Sequence, residues 1–250
     1  MISDETVIKR AQAAIEVEPR VNIHSFPLHM ELKESRLVLD GDVETVAAKR
    51  LAVRLAREVT GIQEVIDQVH VIPAKQRGDG EILESFTQLL QGQVDLRNCT
   101  MSRSSRGRIE SLHQVPDDRS PEITFYKSGE IVFSVDDGTI ALDGYVISLS
   151  HKRILEVLAW WVPGCCNVIN RLAVEPAEPD NDDEVSDAVR LVLEMDPLLS
   201  HADQINISTS QGIVALQGIL GSEEERNMAE FDAWCVPGVT DVENRLEVGK

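Results

Sequence analysis

Apolar and polar positions along this chain switch between two periods in a repeating order. Val7, Ile8, Ala11, Ala14 and Ile15 recur at helical spacing over residues 4–17, and Pro19 stops the run. Leu28, Met30 and Leu32 then alternate with His29 and Glu31, the period of a half-buried strand. Glu34-Ser35 forms a tight connection to a second strand, in which Leu37 and Leu39 alternate ahead of Gly41. Leu51, Ala52, Leu55, Ala56 and Val59 return to the helical period, and Gly61 ends that helix as a residue of positive φ. Val65 to Ile72 predicts a third strand, closed by Pro73.

The stretch Leu37–Val71 occurs three times. It aligns without a gap on Ile140–Val174 and on Val214–Val248, bringing Gly41, Gly144 and Gly218 together, and likewise Gly61, Gly164 and Gly238. The predicted fold class is therefore α+β: three tandem αββαβ units, each a three-stranded mixed sheet with two helices on one face. The hairpin strands are antiparallel, and the helix-linked second and third strands are parallel through a right-handed crossover. The predicted units are 1–75, 79–177 and 183–249. Each is small for an independent core, which predicts packing between them.

The copies differ in places that matter. In the third, Asp232 stands where the others have Leu55 and Leu158; Phe231 beside it offers a ring to bury if the helix rotates. The middle unit opens with a helix around Glu81–Leu90 and carries a basic insertion at about 97–122, longer than an ordinary connection. The insertion contains Arg97, then SRSSRGR with Arg103, Arg106 and Arg108, then the polar turn Pro116-Asp117-Asp118. Its basic part is expected to be mobile, with Ile123, Phe125 and Tyr126 adding a strand before Gly129. Asp136-Asp137-Gly138-Thr139 predicts a tight hairpin turn. The three middle-strand glycines read as strand ends where the chain turns.

The shared pattern is LxLxGxV, a helix with a basic residue in its first half, then VxGVxxVxNxLxV. It reads VALQGIL, Arg226 and VPGVTDVENRLEV in the third unit, IALDGYV, Lys152 and VPGCCNVINRLAV in the second, and LVLDGDV, Lys49 and VTGIQEVIDQVHV in the first, where Asp67 replaces Asn170 and Asn244. This resembles the BON domain of bacterial osmotic-shock and nodulation proteins. The resemblance implies an αββαβ fold and a non-enzymatic role, often at phospholipid surfaces, in periplasmic, cytosolic or multi-domain settings.

Composition narrows the function. The 24 basic against 43 acidic residues give a net charge of −19, which argues against nucleic-acid partners. Met1 leads into Ile2-Ser3-Asp4-Glu5 with no basic n-region or apolar h-region, and the four cysteines form no CxxC pair; together these predict reduced thiols in a cytoplasmic protein. The six histidines share no metal-ligand spacing, and there is no GxSxG, P-loop or GxGxxG, so no catalytic residue, metal or cofactor is expected. Cys165-Cys166 reads as two free thiols, and Asp180 to Glu184 as a linker and helix start.

Two features stand out as candidate binding residues. Arg57, Trp160 and Trp234 occupy one repeat position, with Trp161 next to the second; Ala159-Trp160-Trp161-Val162 is apolar over too wide an arc for one core. At least one tryptophan is expected to face another unit, a partner protein or a membrane interface. The second feature is the basic run Arg97, Arg103, Arg106 and Arg108, opposite in sign to the whole chain. The leading reading is a non-catalytic binding or scaffold protein that contacts phospholipid or a protein partner. A cytosolic small-ligand or cation-binding sensor is the alternative.

Overall fold

The computed structural model describes residues 3–105, 107–115 and 128–249. The first unit runs α1 (Asp4–Glu16), β1 (His29–Lys33), β2 (Arg36–Val43), α2 (Val46–Arg57) and β3 (Glu64–Val71). Ser3 caps α1 by accepting from Thr6 N at 3.3 Å, and Asp4 and Glu5 sit in the first turn, where the helix dipole favours negative charge. β1 and β2 pair antiparallel across a turn in which Glu34 and Ser35 both take positive φ, 51° and 63°. β2 and β3 are parallel.

The third unit repeats this as α5 (Asp182–Met195), β10 (Asn206–Ser210), β11 (Ile213–Leu220), α6 (Glu223–Cys235) and β12 (Asp241–Val248), with the same strand order and pairing. β2 and β11 share the same alternation of buried and exposed residues, Leu37 and Leu39 corresponding to Val214 and Leu216. The middle unit holds α3 (Asp79–Gln91), β4 (Cys99–Ser105), β5 (Arg108–His113), β6 (Gly129–Asp136), β7 (Thr139–Val146), α4 (Leu149–Trp160), β8 (Asn167–Asn170) and β9 (Ala173–Val174). The repeat extends to the caps of the second helices: Thr45, Ser148 and Ser222 accept from Ala48 N, His151 N and Glu225 N.

Two expectations change here. The basic insertion, expected to be mobile, forms the β4–β5 hairpin over its described residues, so the middle sheet is extended to the order β5-β4-β6-β7-β8, with β9 also on β7. Cys99 and Met101 alternate inward and are buried, and β4 runs parallel to β6 with Met101 opposite Ile131. That apolar alternation gives the hairpin a core face, and β6 gives it an unpaired edge. The turn at Pro116-Asp117-Asp118 and the strand expected at Ile123, Phe125 and Tyr126 lie outside the described residues. Secondly, Gly41, Gly144 and Gly218 lie inside strands β2, β7 and β11 rather than at their ends. Their φ values are positive, and a Cβ on Gly144 would stand 2.0 Å from Glu130 O of β6, while one on Gly41 or Gly218 would meet Pro27 O at 3.0 Å or Gln204 O at 2.5 Å just ahead of the partner strand. These glycines therefore let neighbouring backbone approach mid-strand.

The buried side chains of all three units form one contiguous core. α6 packs against both α2 and α4, and Val71 N donates to Cys166 O at 2.7 Å where β3 meets the start of β8. At this junction Arg50 of α2 reaches the last turn of α6. Its Nη1 donates to Val236 O at 2.7 Å, and its Nη2 donates to Cys235 O at 2.9 Å and Glu156 Oε1 at 3.2 Å. Arg153 of α4, at the same repeat position, is 2% exposed; its Nε donates to Pro237 O at 3.1 Å and its Nη2 pairs with Asp180. The final carbonyls of a helix have no partner within it, so these guanidinium groups supply the donors from outside.

Removing Arg50 takes the donor from Cys235 O and the cation from Glu156, while Val239 N still serves Val236 O and Asn170 still serves Glu156. Arg50→Ala is expected to lower stability by about 3 kcal/mol in urea unfolding, whereas Arg10→Ala on the exposed face of α1 changes it by less than about 0.5 kcal/mol. Equal effects of the two would contradict the role given to Arg50.

Candidate functional site

The structure separates the two groups of predicted site residues. Arg103 and Arg108 lie on the β4–β5 hairpin at one edge of the middle sheet, with Arg97 just before β4, while α4, which ends at Trp160, packs on β7, β8 and β9. Arg103 is tied down: its Nε donates to Glu110 at 2.8 Å on β5, and its Nη1 donates to Glu84 at 3.0 Å on α3. These bonds fasten the hairpin to its own unit and hold the Arg103 guanidinium above its ordinary pKa. Arg97 and Arg108 are exposed and make no ion pair with a described residue. Ile109, beside Arg108, is 70% exposed, so the hairpin presents positive charge and an apolar side chain together. Arg106 lies outside the described residues.

The tryptophans occupy the junction between units. Trp234 is buried on α6, with the Arg20 guanidinium of the first unit 5.8 Å from its ring centroid. Arg20 also donates to Asp241 at 2.7 Å and to Glu18 at 2.7 Å. Burial alone would raise the Asp241 carboxyl, but the Arg20 bonds and charge outweigh it and the net shift is downward. Trp161 is half-buried, and its Nε1 donates to Asp232 Oδ1 of the third unit at 2.8 Å. Trp160 is 8% exposed and forms part of a cleft wall described below.

Asp232 corrects a further expectation. α6 does not turn to bury Phe231 in its place: Asp232 is fully buried and Phe231 only partly so. The indole N–H of Trp161 satisfies one carboxyl oxygen there; the other, Oδ2, has no hydrogen-bond partner.

The cleft at the meeting point of the three units was not singled out in the sequence. It has a volume of about 530 Å³ and is lined by Lys49, Arg50, Arg54 and Arg57 from α2, Trp160 from α4 and the segment 237–240 after α6. Arg50, Arg54 and Arg57 fall at i, i+4 and i+7, one face of a helix, and that basic stripe was the available signal. Lys49 is nearly buried; its Nζ donates to Asp67 at 2.7 Å and to Val69 O at 2.5 Å. Burial lowers its pKa against the pull of Asp67, and burial raises that of Glu156 against Arg50 and Asn170. The Asp67 substitution noted in the sequence is thereby explained. Asn170 and Asn244 instead donate to Glu156 and Glu230, and the first unit has Val53 at that repeat position.

Among the described residues, no three or more of His, Cys, Asp and Glu are grouped to hold a metal ion, and no helix is long and apolar enough to cross a membrane. Cys165 and Cys166 are free thiols, and burial pushes Cys165 up to about 12.

A BON domain model matches residues 3–73, 120–176 and 181–250. The chain is 26% identical over 127 residues to osmotically-inducible protein Y of Escherichia coli (strain K12), a match covering 48% of this chain and 63% of that protein. It thus spans under two thirds of the relative's length. Solved structures of CdsD, a structural protein of the type III secretion system of Chlamydia trachomatis, align at 13% identity over 100% of both chains, or over 97% of this chain and 92% of the other. The TM-score is 0.24 in each case, which carries no structural argument.

The Trp161–Asp232 contact generates a pH dependence. Burial raises the Asp232 carboxyl from its ordinary 3.8 to about 8, and the nearby Asp196 carboxyl adds to the rise, opposed by the Trp161 bond. The folded chain keeps this proton over a range in which the unfolded chain has lost it. The group's contribution to stability is fully present below about pH 4 and is lost as pH rises to about 8. Asp232→Leu, which restores the residue found at positions 55 and 158, is expected to flatten a decline on the order of a few kcal/mol. Urea unfolding of both proteins at about pH 5 and about pH 8 measures it.

Proposed function

The chain belongs to the BON domain family, and from that membership we propose a non-catalytic binding protein whose three units carry a basic hairpin to an anionic phospholipid surface. The observation that carries this reading is the β4–β5 hairpin itself. It falls in the stretch between the first and second family matches, so it is an addition to the repeated pattern rather than part of it. It holds Arg103 in ion pairs while leaving Arg108 and the neighbouring Ile109 facing solvent, with Arg97 exposed just before β4. A basic patch with an apolar side chain, on a chain of net charge −19, confines attraction to anionic headgroups to one edge of the molecule. The tryptophans are not part of the proposed surface, because their rings pack at the junction of the units.

The proposed unit boundaries remain 1–75, 79–177 and 183–249. Supporting α3 as the first helix of the middle unit, the Asp79 carboxylate accepts from Asp137 N and Gly138 N at the β6–β7 turn. Asp182 does the same for Gln211 N and Gly212 N in the third unit. A cytoplasmic location belongs to the same proposal, supported by the unbridged neighbours Cys165 and Cys166.

Vesicle co-sedimentation at low salt tests the reading. Vesicles containing phosphatidylglycerol are expected to retain the protein and pure phosphatidylcholine vesicles are not. Arg97→Glu/Arg108→Glu is expected to cut retention several-fold, as is raising salt to about 0.5 M. Absence of retention at low salt, or retention indifferent to the double substitution, points instead to a protein partner.

A further inference from the structure

We infer that the cleft where the three units meet is a binding site for a small amphipathic anion, a compact apolar body with a single carboxylate, sulfonate or phosphate head. Its volume of about 530 Å³ lies within the roughly 300–1,000 Å³ of ordinary small-ligand sites, which favour domain junctions and combine apolar walls with a few convergent polar groups. Val53, Trp160, Val168 and Val239 provide apolar wall, and α2 provides the charge.

The basic residues of α2 are not equivalent in what they leave available. Lys49 is committed to Asp67 and Val69 O, and Arg50 to Glu156 and the carbonyls at the end of α6. Arg54 is only loosely held, 3.4 Å from Asp241 and 3.7 Å from Glu58, and its Nε has no partner. Arg57 is exposed and makes no ion pair with a described residue, although Glu58 and Asp67 also line the cleft. Arg57 and the Arg54 Nε are thus uncommitted among the described residues, whereas the donors at the Arg50 end hold the units together. An anionic head placed between Arg54 and Arg57 lets its apolar body reach Val53 and the Trp160 ring.

The repeat sharpens this assignment. Arg57, Trp160 and Trp234 are copies of one position, and two of those copies, the cation and the indole, line this cleft together. The third is buried under Arg20. A charged wall and an aromatic wall therefore come from one repeat position, brought together by the packing of two units. The walls come from all three units, so a ligand there is also expected to stabilise their packing.

The test uses probes that separate the two halves of the ligand. Anilinonaphthalene sulfonate carries an apolar body and an anionic head, N-phenylnaphthylamine has the same body without the sulfonate, and inorganic phosphate is head alone. The intact chain is expected to bind the sulfonate saturably with one-to-one stoichiometry and to bind either half-probe at least about tenfold more weakly. Arg57→Glu is expected to weaken sulfonate binding by about tenfold or more, while Arg108→Glu, the same charge change on the hairpin, leaves it unaltered. Thermal unfolding of both variants checks that the fold is retained; Arg57 is exposed, so its substitution does not disturb the core. Non-saturable sulfonate binding, equal affinity for the neutral analogue, or an Arg57→Glu protein that binds like the original each overturns the assignment. The readout is independent of vesicles, so it stands or falls separately from the hairpin.

Discussion

The arrangement of the three units rests on the carbonyls at the end of α6. A helix cannot satisfy its own last carbonyls, and here the turn is buried against two other units, away from water. Arg50 and Arg153 bring donors to it from α2 and α4. They occupy the same place in their respective repeats, and the third unit has Asn227 there. Two copies of one position thus clamp the end of α6 in the third unit, and this difference between otherwise similar units fixes which helix end lies at the centre. Arginine suits the task because its planar fork stays charged when buried and can serve several carbonyls at once.

Charge is distributed to match. The chain as a whole is strongly acidic, yet cations concentrate at the junction and on the hairpin. At the junction most are neutralised by specific partners: Lys49 by Asp67, Arg50 by Glu156, Arg20 and Arg54 by Asp241. Such pairs need a close fit because each ion gives up hydration, and here carbonyl oxygens supply the further contacts. Asp232 is the counter-example, a carboxyl buried without a cation. It holds its proton because of that burial, and the Trp161 indole joins it to the neighbouring unit.

How much of this was legible depended on whether the determining contacts were local. The hairpin turns and the parallel crossover follow from short stretches such as Glu34-Ser35 and Asp137-Gly138, so reading them needs no partner. The hairpin at 99–113 was misjudged because its basic composition masked the alternation of Cys99 and Met101, which matters only beside the unpaired edge of β6. Trp161 reaches Asp232 of the third unit, and Trp234 lies under Arg20 of the first. Which unit each would meet was not readable, because that depends on how the helices cross.

The sequence alone determined the repeat, the αββαβ order of the first and third units, to which the middle unit adds its hairpin, and the positions where side chains depart from it. Those properties are set by periodicity, turn chemistry and capping, interactions that act over a few residues. Only the tertiary structure decided that Asp232 is buried rather than Phe231, that Arg57 and Trp160 share a cleft, and that the inserted basic segment completes a sheet. Each joins residues far apart in the chain, and distance along the sequence carries no information about them until the units pack.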